Sequence, residues 1–170
     1  MSRVERLWTA PEDSAPMESH QSIRCLAGCG IEGDRYCLGT GYYSPYDVCQ
    51  ITFVESEALD HILEEYDIDL TDGRHRRNVV VRDVDVHDLL GQRFRVGDAT
   101  FEGTRPRPPC AHVEAVADEE GVTRALTEGR GGICADVVED GSVAVGDEVE
   151  VLGPVFDGEG LAESIRDRQG

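Results

Sequence analysis

Short apolar stretches separated by glycine, proline and aspartate run along most of this chain. Residues 48–54 (VCQITFV) are β-branched, aromatic or small, which favours a strand, and residues 78–81 form a second apolar stretch of strand type. Between them the period changes, because residues 55–66 repeat apolar side chains at helical spacing and so predict an amphipathic helix. The predicted core face of this helix consists of Ala58, Leu59, Ile62, Leu63 and Tyr66.

Two glycine–aspartate pairs, each between alternating stretches, predict tight hairpins later in the chain. The pairs are Gly97 with Asp98 and Gly146 with Asp147. Short strands at this spacing, with only a few short helices, indicate a mainly β fold of the barrel type rather than alternating βαβ units. A chain of 170 residues suits one hydrophobic core. We therefore expect a single domain over residues 1–153, followed by an acidic tail over residues 154–170.

The charge of the chain is strongly one-sided. The sequence has 35 Asp and Glu residues against 16 basic residues, a formal net charge of -19, and every basic residue is arginine. Like charges at this density repel one another and destabilise a compact state in dilute buffer. We therefore expect a halophilic archaeal source. The charge also disfavours nucleic acid as a partner, since phosphates are bound by basic surfaces.

The halophile interpretation predicts a salt-dependent fold. At molar salt the Debye length falls to about 3 Å, so the repulsion between surface carboxylates is screened. We expect the domain to lose structure in low-salt buffer and to regain it in concentrated KCl, which circular dichroism across a KCl series measures. A thermal transition that does not move with salt would refute the interpretation.

The expected compartment is the cytoplasm, without membrane contact. The N-terminal residues carry charges of both signs and lack the apolar segment of a secretion signal, and no apolar stretch reaches the length of a membrane span. Cytosolic thiols are mostly reduced, and we expect this of the six cysteines. Only Cys25 and Cys29 have a spacing like that of zinc ligands, so no structural zinc is expected. These two are alternatively a redox pair, although a gap of three residues is not the usual redox motif.

A proline-rich stretch over residues 104–114 (TRPRPPCAHVE) presents Cys110. The prolines fix the backbone before the cysteine, and a helical turn can begin there. A cysteine at a helix start with Arg105 and Arg107 nearby is expected to be largely thiolate, which is both a nucleophile and a soft metal ligand. His112, two residues further on, can act as acid or base. Taken alone, the stretch fits a buried structural cysteine equally well.

Two further motifs carry charge. Residues 30–36 (GIEGDRY) predict a tight turn that presents Arg35, with Asp34 orienting it or capping the turn. Residues 74–78 (RHRRN) are the only basic island in the acidic chain. Such an island is either neutralised in surface ion pairs or kept for an anionic ligand, and charge alone slightly favours ion pairs.

In this order and spacing, the motifs resemble the MOSC family, the C-terminal domain of molybdenum-cofactor sulfurases, which also includes the amidoxime-reducing component and small stand-alone members. The matching stretches are residues 30–36, 50–59 (QITFVESEAL), 76–81 (RRNVVV), 88–103 (DLLGQRFRVGDATFEG), 107–114 (RPPCAHVE) and 131–152 (GGICADVVEDGSVAVGDEVEVL). They cover most of residues 20–152. The resemblance implies a β-rich barrel similar to the barrel domain of pyruvate kinase.

The resemblance also implies a site. Arg107, Pro109 and Cys110 fit the family's Arg-x-Pro-Cys setting, in which the cysteine carries sulfur as a persulfide or ligates the molybdenum of a bound molybdopterin. The family's arginines are associated with the anionic pterin phosphate, and the family as a whole with pyridoxal phosphate binding. The residues expected to bind the cofactor are Asp34, Arg35, Arg76, Arg77, Asn78 and Arg107.

Three functions follow from the resemblance. The first is a sulfur carrier or transferase that receives sulfur on Cys110 from a separate cysteine desulfurase, since the motifs include no pyridoxal-phosphate desulfurase domain. The second is a molybdopterin-dependent reductase of N-hydroxylated compounds, with Cys110 on molybdenum and a flavin or iron–sulfur protein as electron partner. The third is a non-catalytic module that binds the molybdenum cofactor.

Overall fold

The computed structural model describes residues 2–11, 17–34, 37, 50–70, 77–106 and 132–154. Within these ranges the fold is mainly β, as the strand spacing predicts. Helix α1 spans Ser56–Tyr66, and a turn of 3-10 helix spans Val86–Leu89. The strands are β1 (Arg3–Thr9), β2 (Glu18–His20), β3 (Ser22–Leu26), β4 (Gly30–Ile31), β5 (Ile51–Glu55), β6 (Val79–Arg82), β7 (Gln92–Val96), β8 (Ala99–Pro106), β9 (Ile133–Glu139), β10 (Gly141–Ala144) and β11 (Val149–Pro154).

Eight of these strands form one curled sheet in the order β11-β7-β8-β9-β5-β6-β1-β2. Neighbouring strands are antiparallel except β5 and β6, which are parallel and have α1 between them in the chain. Parallel neighbours need a long connection, and this explains why the strand pattern gives way to a helical period after residue 55. A smaller sheet has the order β10-β3-β4. Its buried residues Ile23, Cys25 and Val143 belong to the same core as the large sheet.

Three phenylalanines form the centre of this core. Phe53, Phe94 and Phe101 are fully buried, and their ring centroids lie 5.3 to 5.6 Å apart. Phe53 meets the other two rings edge-on, whereas Phe94 and Phe101 stack. Both arrangements are favourable for aromatic rings at this separation. The core therefore ties β5 to β7 and β8 across the curl of the sheet.

The other face of β5 and β6 is covered by α1. Leu59 and Ile62 of the helix are buried with Val54, Val80 and Trp8 in a second core cluster. Strands covered on both faces are buried at successive positions, as residues 51–54 and 79–81 are. The predicted helix is confirmed, but one predicted core position is wrong. Leu63 is 43% exposed, because the buried stripe of the helix passes through Leu59 and Ile62.

Of the two predicted hairpins, the first is confirmed. β7 and β8 pair directly across Gly97 and Asp98, with Val96 opposite Ala99. Gly97 has φ +61, a conformation that glycine adopts without steric cost and that suits the first central position of a two-residue hairpin.

The second predicted hairpin is wrong, because the strands on either side of Gly146 pair elsewhere. β10 pairs with β3 of the small sheet, and β11 pairs with β7 of the large one. The turn itself is present, since the Asp147 amide donates to the Ala144 carbonyl at 3.1 Å. However, the Gly146 amide donates to the Val4 carbonyl, and the Val4 amide donates to the Asp147 carbonyl. The residues of this turn therefore bond to β1, and β10 and β11 do not pair with each other.

Within the described residues, no helix combines the length and the apolarity that a membrane crossing requires.

Candidate functional site

Several strands of the large sheet begin or end along one row of paired residues. The pairing register places one row of residues across five strands, namely Pro106, Ile133, Phe53, Val79 and Leu7. In this row β8 ends and β9 and β6 begin, and β1 ends two residues beyond it. β8 and β9 lie on one side of this row and β6 lies on the other, so the sheet is staggered here. The chain therefore enters or leaves the sheet several times along this row, which we call the motif edge.

The motifs singled out in the sequence adjoin the motif edge. Arg77 and Asn78 immediately precede β6, and residues 107–114 follow β8 in the chain. The stretch over residues 131–152 begins two residues before β9. Pairing between distant strands thus brings together stretches that are far apart in the sequence.

The turn over residues 31–34 delivers Asp34 to the same edge. The Asp34 amide donates to the Ile31 carbonyl at 2.9 Å, and Gly33 has φ +87, as the third position of a type II turn requires. The Asp34 side chain is fully buried. Its Oδ1 accepts hydrogen bonds from the Ala10 amide at 3.0 Å and from Nδ2 of Asn78 at 3.3 Å. The predicted tight turn is confirmed, and Asp34 fastens it to the ends of β1 and β6.

Asn78 is the hub of these contacts. Its Oδ1 accepts from the amide and from the hydroxyl of Thr52, both at 3.0 Å. Its Nδ2 donates to the Trp8 carbonyl at 3.0 Å and to Asp34. A side-chain amide has two donor hydrogens and two acceptor lone pairs, so these four hydrogen bonds use its full capacity. Asp34, Asn78 and Thr52 together form a buried polar group that we call the clasp.

Arg77 lies beside the clasp and is 1% exposed. A guanidinium keeps its charge at any pH that a protein tolerates, so burying one is costly unless it is compensated by anionic or hydrogen-bonding groups. The structure therefore brings together three of the predicted site residues, Asp34, Arg77 and Asn78. The remaining predicted site residues, Arg35, Arg76, Arg107, Cys110 and His112, lie outside the described residues.

Thr52, Trp8 and Ala10 are members of this site that the sequence did not predict. Trp8 and Ala10 contribute only backbone groups to the clasp, so no side-chain pattern could reveal them. Thr52 carried one weak signal, since it is a polar residue within the apolar stretch 51–54. Buried polar side chains are normally hydrogen-bonded, so a threonine there implies a partner but does not identify it.

Two buried cysteines differ in their position relative to the clasp. Cys134 pairs with Thr52 across β9 and β5, so it shares the face of the sheet that carries the Thr52 hydroxyl. Cys25 lies in the main core, where burial raises the pKa of its thiol to about 12, although Arg24 lowers it. Cys25 is therefore a protonated, unreactive thiol at neutral pH.

Cys29 and Cys37 form a disulfide, with their Cα atoms 4.6 Å apart. The expectation of reduced thiols is therefore wrong for this pair. The alternative pairing of Cys29 with Cys25 is also wrong, because Cys25 points into the core. The turn over residues 31–34 lies between the two bridged cysteines in the chain. The bridge thus encloses the segment that carries Asp34.

A second cluster of titratable groups contains Glu55, Asp85 and His87. Their side-chain donor atoms lie within 4.8 Å of one another. The Glu55 carboxylate accepts from the Val86 amide at 3.0 Å. Burial raises the pKa of Glu55, and the carboxylates of Asp85 and Glu57 raise it further, which outweighs the effect of that hydrogen bond.

This shift predicts that Glu55→Gln stabilises the fold at neutral pH. Because the pKa of Glu55 is higher in the folded chain than its ordinary value of 4.5, the folded state binds this proton more tightly than the unfolded state. The wild type therefore loses stability as the pH rises through the folded pKa, whereas the glutamine variant does not. We expect a higher urea midpoint for the variant at pH 7, with the difference vanishing below pH 4.5.

Glu64→Gln provides the control at a fixed KCl concentration, because Glu64 is exposed on α1. This substitution removes the same charge from a side chain that is not buried. Equal gains for both variants would mean that net charge, not the environment of Glu55, sets the effect.

The fold and the site define a class: a mainly β, barrel-like domain in which buried polar residues connect separate chain segments beside one row of a curled sheet. The family model described as MOSC domain matches residues 44–150, and the chain belongs to this family. The family is associated with molybdenum-cofactor-related proteins. The match includes Arg77, Asn78 and Cys110, whereas Asp34 precedes it.

Solved structures are similar in fold. The YuaD protein from Bacillus subtilis is 23% identical with a TM-score of 0.73, covering 89% of this chain and 96% of that one. YiiM from Geobacillus stearothermophilus is 15% identical with a TM-score of 0.69, covering 89% and 75%. YiiM from Escherichia coli is 17% identical with a TM-score of 0.65, covering 91% and 72%. No curated protein matches the sequence significantly.

Proposed function

We propose that the motif edge binds the anionic phosphate of a molybdenum cofactor and that Cys110 carries sulfur, as a persulfide, to that cofactor. The observation that carries the proposal is the position of the motifs: the end of β8, the start of β6 and the Asp34 turn all adjoin the motif edge. Cys110 follows Pro106 by four residues, which span at most about 14 Å of extended chain. The thiol is therefore tethered to the edge that holds Arg77.

The hydrogen bonds of the clasp indicate that the predicted cofactor-binding residues have different roles. Asn78 has no hydrogen-bonding capacity left for a ligand, and the carboxylate of Asp34 would repel a phosphate. We therefore propose that both residues position the segments around the site and do not contact the ligand. The arginines of the motifs then bind the phosphate, since planar guanidinium groups bind phosphate through paired hydrogen bonds. These cations are Arg35, Arg76, Arg77 and Arg107.

The proposed chemistry of this chain is thiol transfer. The Cys110 thiolate attacks the outer sulfur of a persulfide on a separate cysteine desulfurase, forming a persulfide on Cys110 and releasing the desulfurase thiolate. Arg107 and the residues after Cys110 favour the thiolate, and His112 takes up or returns the proton. The cofactor, when bound, supplies the molybdenum centre that accepts the sulfur.

Intact mass spectrometry tests this function. After incubation with a cysteine desulfurase and cysteine, we expect one added sulfur atom, about 32 Da, that peptide mapping assigns to Cys110 and that dithiothreitol removes. Cys110→Ala should abolish the adduct completely, because no other thiol is expected to be presented as a thiolate beside arginines. Cys49→Ala is the matched control and should retain it. An adduct that survives Cys110→Ala would overturn the proposal.

Two alternatives share the cofactor and differ in the role of the thiol. If Cys110 ligates molybdenum in a reductase of N-hydroxylated compounds, protein from a cofactor-producing host contains stoichiometric molybdenum, and Cys110→Ala loses it. A flavin or iron–sulfur partner would then supply the electrons. If the domain only binds the cofactor, binding survives Cys110→Ala but is lost in Arg77→Ala. Metal and pterin analysis of the wild type and these variants separates the three functions.

A further inference from the structure

The disulfide between Cys29 and Cys37 encloses the segment that delivers Asp34 to the clasp. The first half of this segment is held by backbone hydrogen bonds, because the Cys29 amide donates to the Leu26 carbonyl at 3.1 Å and the Glu32 amide to the Arg24 carbonyl at 2.9 Å. Beyond Asp34, Cys37 is joined to Cys29 by the disulfide. The bridge therefore fixes the chain on the far side of the buried carboxylate.

The two bridged cysteines are less buried than the free ones. Cys29 and Cys37 are both half-buried, whereas Cys25 and Cys134 are buried. Thiol–disulfide exchange needs access of an attacking thiolate to one sulfur, so exposure favours this bridge as a reducible one. Cys25 does not compete as an internal nucleophile, since it lies in the core with its proton retained.

We infer that the Cys29–Cys37 pair is a thiol–disulfide switch that controls how firmly the clasp holds the Asp34 segment, and thereby the affinity of the motif edge for its anionic ligand. The ligand part rests on the proposed function. In the oxidised form the bridge closes a covalent loop around Asp34, whose carboxylate accepts from the Ala10 amide and from Asn78. In the reduced form the same hydrogen bonds must hold the segment without a covalent constraint.

The reductant is a dithiol, either a small molecule or a redox protein with two neighbouring cysteines. Its thiolate attacks one sulfur of the bridge and forms a mixed disulfide, and the second cysteine leaves as a thiolate that takes up a proton. The second thiol of the reductant then attacks the mixed disulfide and releases the remaining protein cysteine. The protein disulfide gains two electrons and two protons to become two thiols, and the dithiol is oxidised to a disulfide.

The experiment uses the full chain in concentrated KCl and has a readout that does not involve the ligand. Alkylation and mass mapping should find Cys29 and Cys37 unmodified before, and modified after, treatment with dithiothreitol. Hydrogen exchange of the Ala10 amide, which donates to Asp34, should then become about tenfold faster or more on reduction. The Phe101 amide in the core is the internal reference and should not change.

Variants separate the bridge from general effects of the reductant. Cys29→Ser with Cys37→Ser should reproduce the fast exchange at Ala10 without any reductant. Cys49→Ser should behave as the wild type, which excludes a bridge to that cysteine. Equal exchange at Ala10 in both redox states, or free thiols on Cys29 and Cys37 in air-equilibrated protein, would overturn the inference.

The ligand arm uses molybdenum cofactor released from a denatured molybdoenzyme. We expect its affinity to fall about tenfold on reduction and in the double serine variant, in parallel with the exchange at Ala10. If hydrogen exchange at Ala10 becomes faster but the affinity for the cofactor is unchanged, the disulfide does not control the site. If no form of the protein binds the cofactor, the proposed function fails, and the exchange at Ala10 alone decides whether the bridge controls the clasp.

Discussion

Replacing Asn78 by aspartate is expected to lower the free energy of unfolding by about 3–5 kcal/mol, the range for an uncompensated buried charge. The new carboxylate keeps the acceptor that Thr52 uses but loses both donor hydrogens. It then faces the Trp8 carbonyl and the Asp34 carboxylate, which are acceptors as well. Urea unfolding at constant KCl, followed by circular dichroism, measures the change. The substitution preserves shape, so packing contributes little to it.

The pH dependence of this variant identifies the cause. Two neighbouring carboxylates bind one proton more tightly than either would alone, so the pKa of the new pair is raised in the folded state. The deficit should therefore shrink as the pH falls, because the shared proton restores a donor between residues 78 and 34. A deficit that is constant with pH would show that the charge at position 78 does not face Asp34.

Thr100→Val provides a measure of one ordinary hydrogen bond in the same sheet. Thr100 is buried, and its hydroxyl donates to the Glu139 carboxylate at 2.8 Å. Removing it should cost about 1 kcal/mol, the typical net value of a single hydrogen bond. If Asn78→Asp costs no more than this, the clasp does not hold the edge together.

The local elements of this fold could be predicted from the sequence because short-range physics determines them. The helical period of residues 55–66 and the turn at Gly97 each depend on neighbours within a few positions, and both are confirmed. The pairing of β10 with β3 and of β11 with β7 could not be predicted. It depends on β1 inserting at Gly146, a contact between residues more than 140 positions apart.

The same limit applies to the site. The tight turn that ends at Asp34 was predictable because Gly33 marks it. The basic island alone favoured surface ion pairs, and the family resemblance was needed to indicate Arg77 as a site residue. The partner of Asp34 was not predictable, since Asn78 lies 44 positions away and the two meet only when β1 and β6 pair. The disulfide was missed for a different reason. The cellular compartment does not distinguish among six cysteines, whereas the fold brings one particular pair together.

Gly132→Ala is expected to destabilise the fold by about 2–5 kcal/mol, the sum of a left-handed backbone for alanine and an overpacked contact. Gly132 has φ +85, and a Cβ at this position would overlap the carbonyl oxygen of Phe53. Phe53 and Ile133 are opposite each other in the row that defines the motif edge. Relieving the overlap requires β9 to move away from β5, which disrupts their hydrogen bonds at this edge. Urea unfolding in concentrated KCl measures the loss.

Gly146→Ala separates the two contributions to this loss. Gly146 has φ +100, but a Cβ there meets nothing within 4 Å, so only the backbone term of about 1–2 kcal/mol applies. Equal losses in the two variants would mean that the close approach of β9 to Phe53 is unimportant. A larger loss at Gly132, accompanied by faster hydrogen exchange at the Phe53 end of β5, would locate the strain at the motif edge. The glycine at position 132 is then required by the backbone of Phe53, because that carbonyl occupies the space where any side chain would begin.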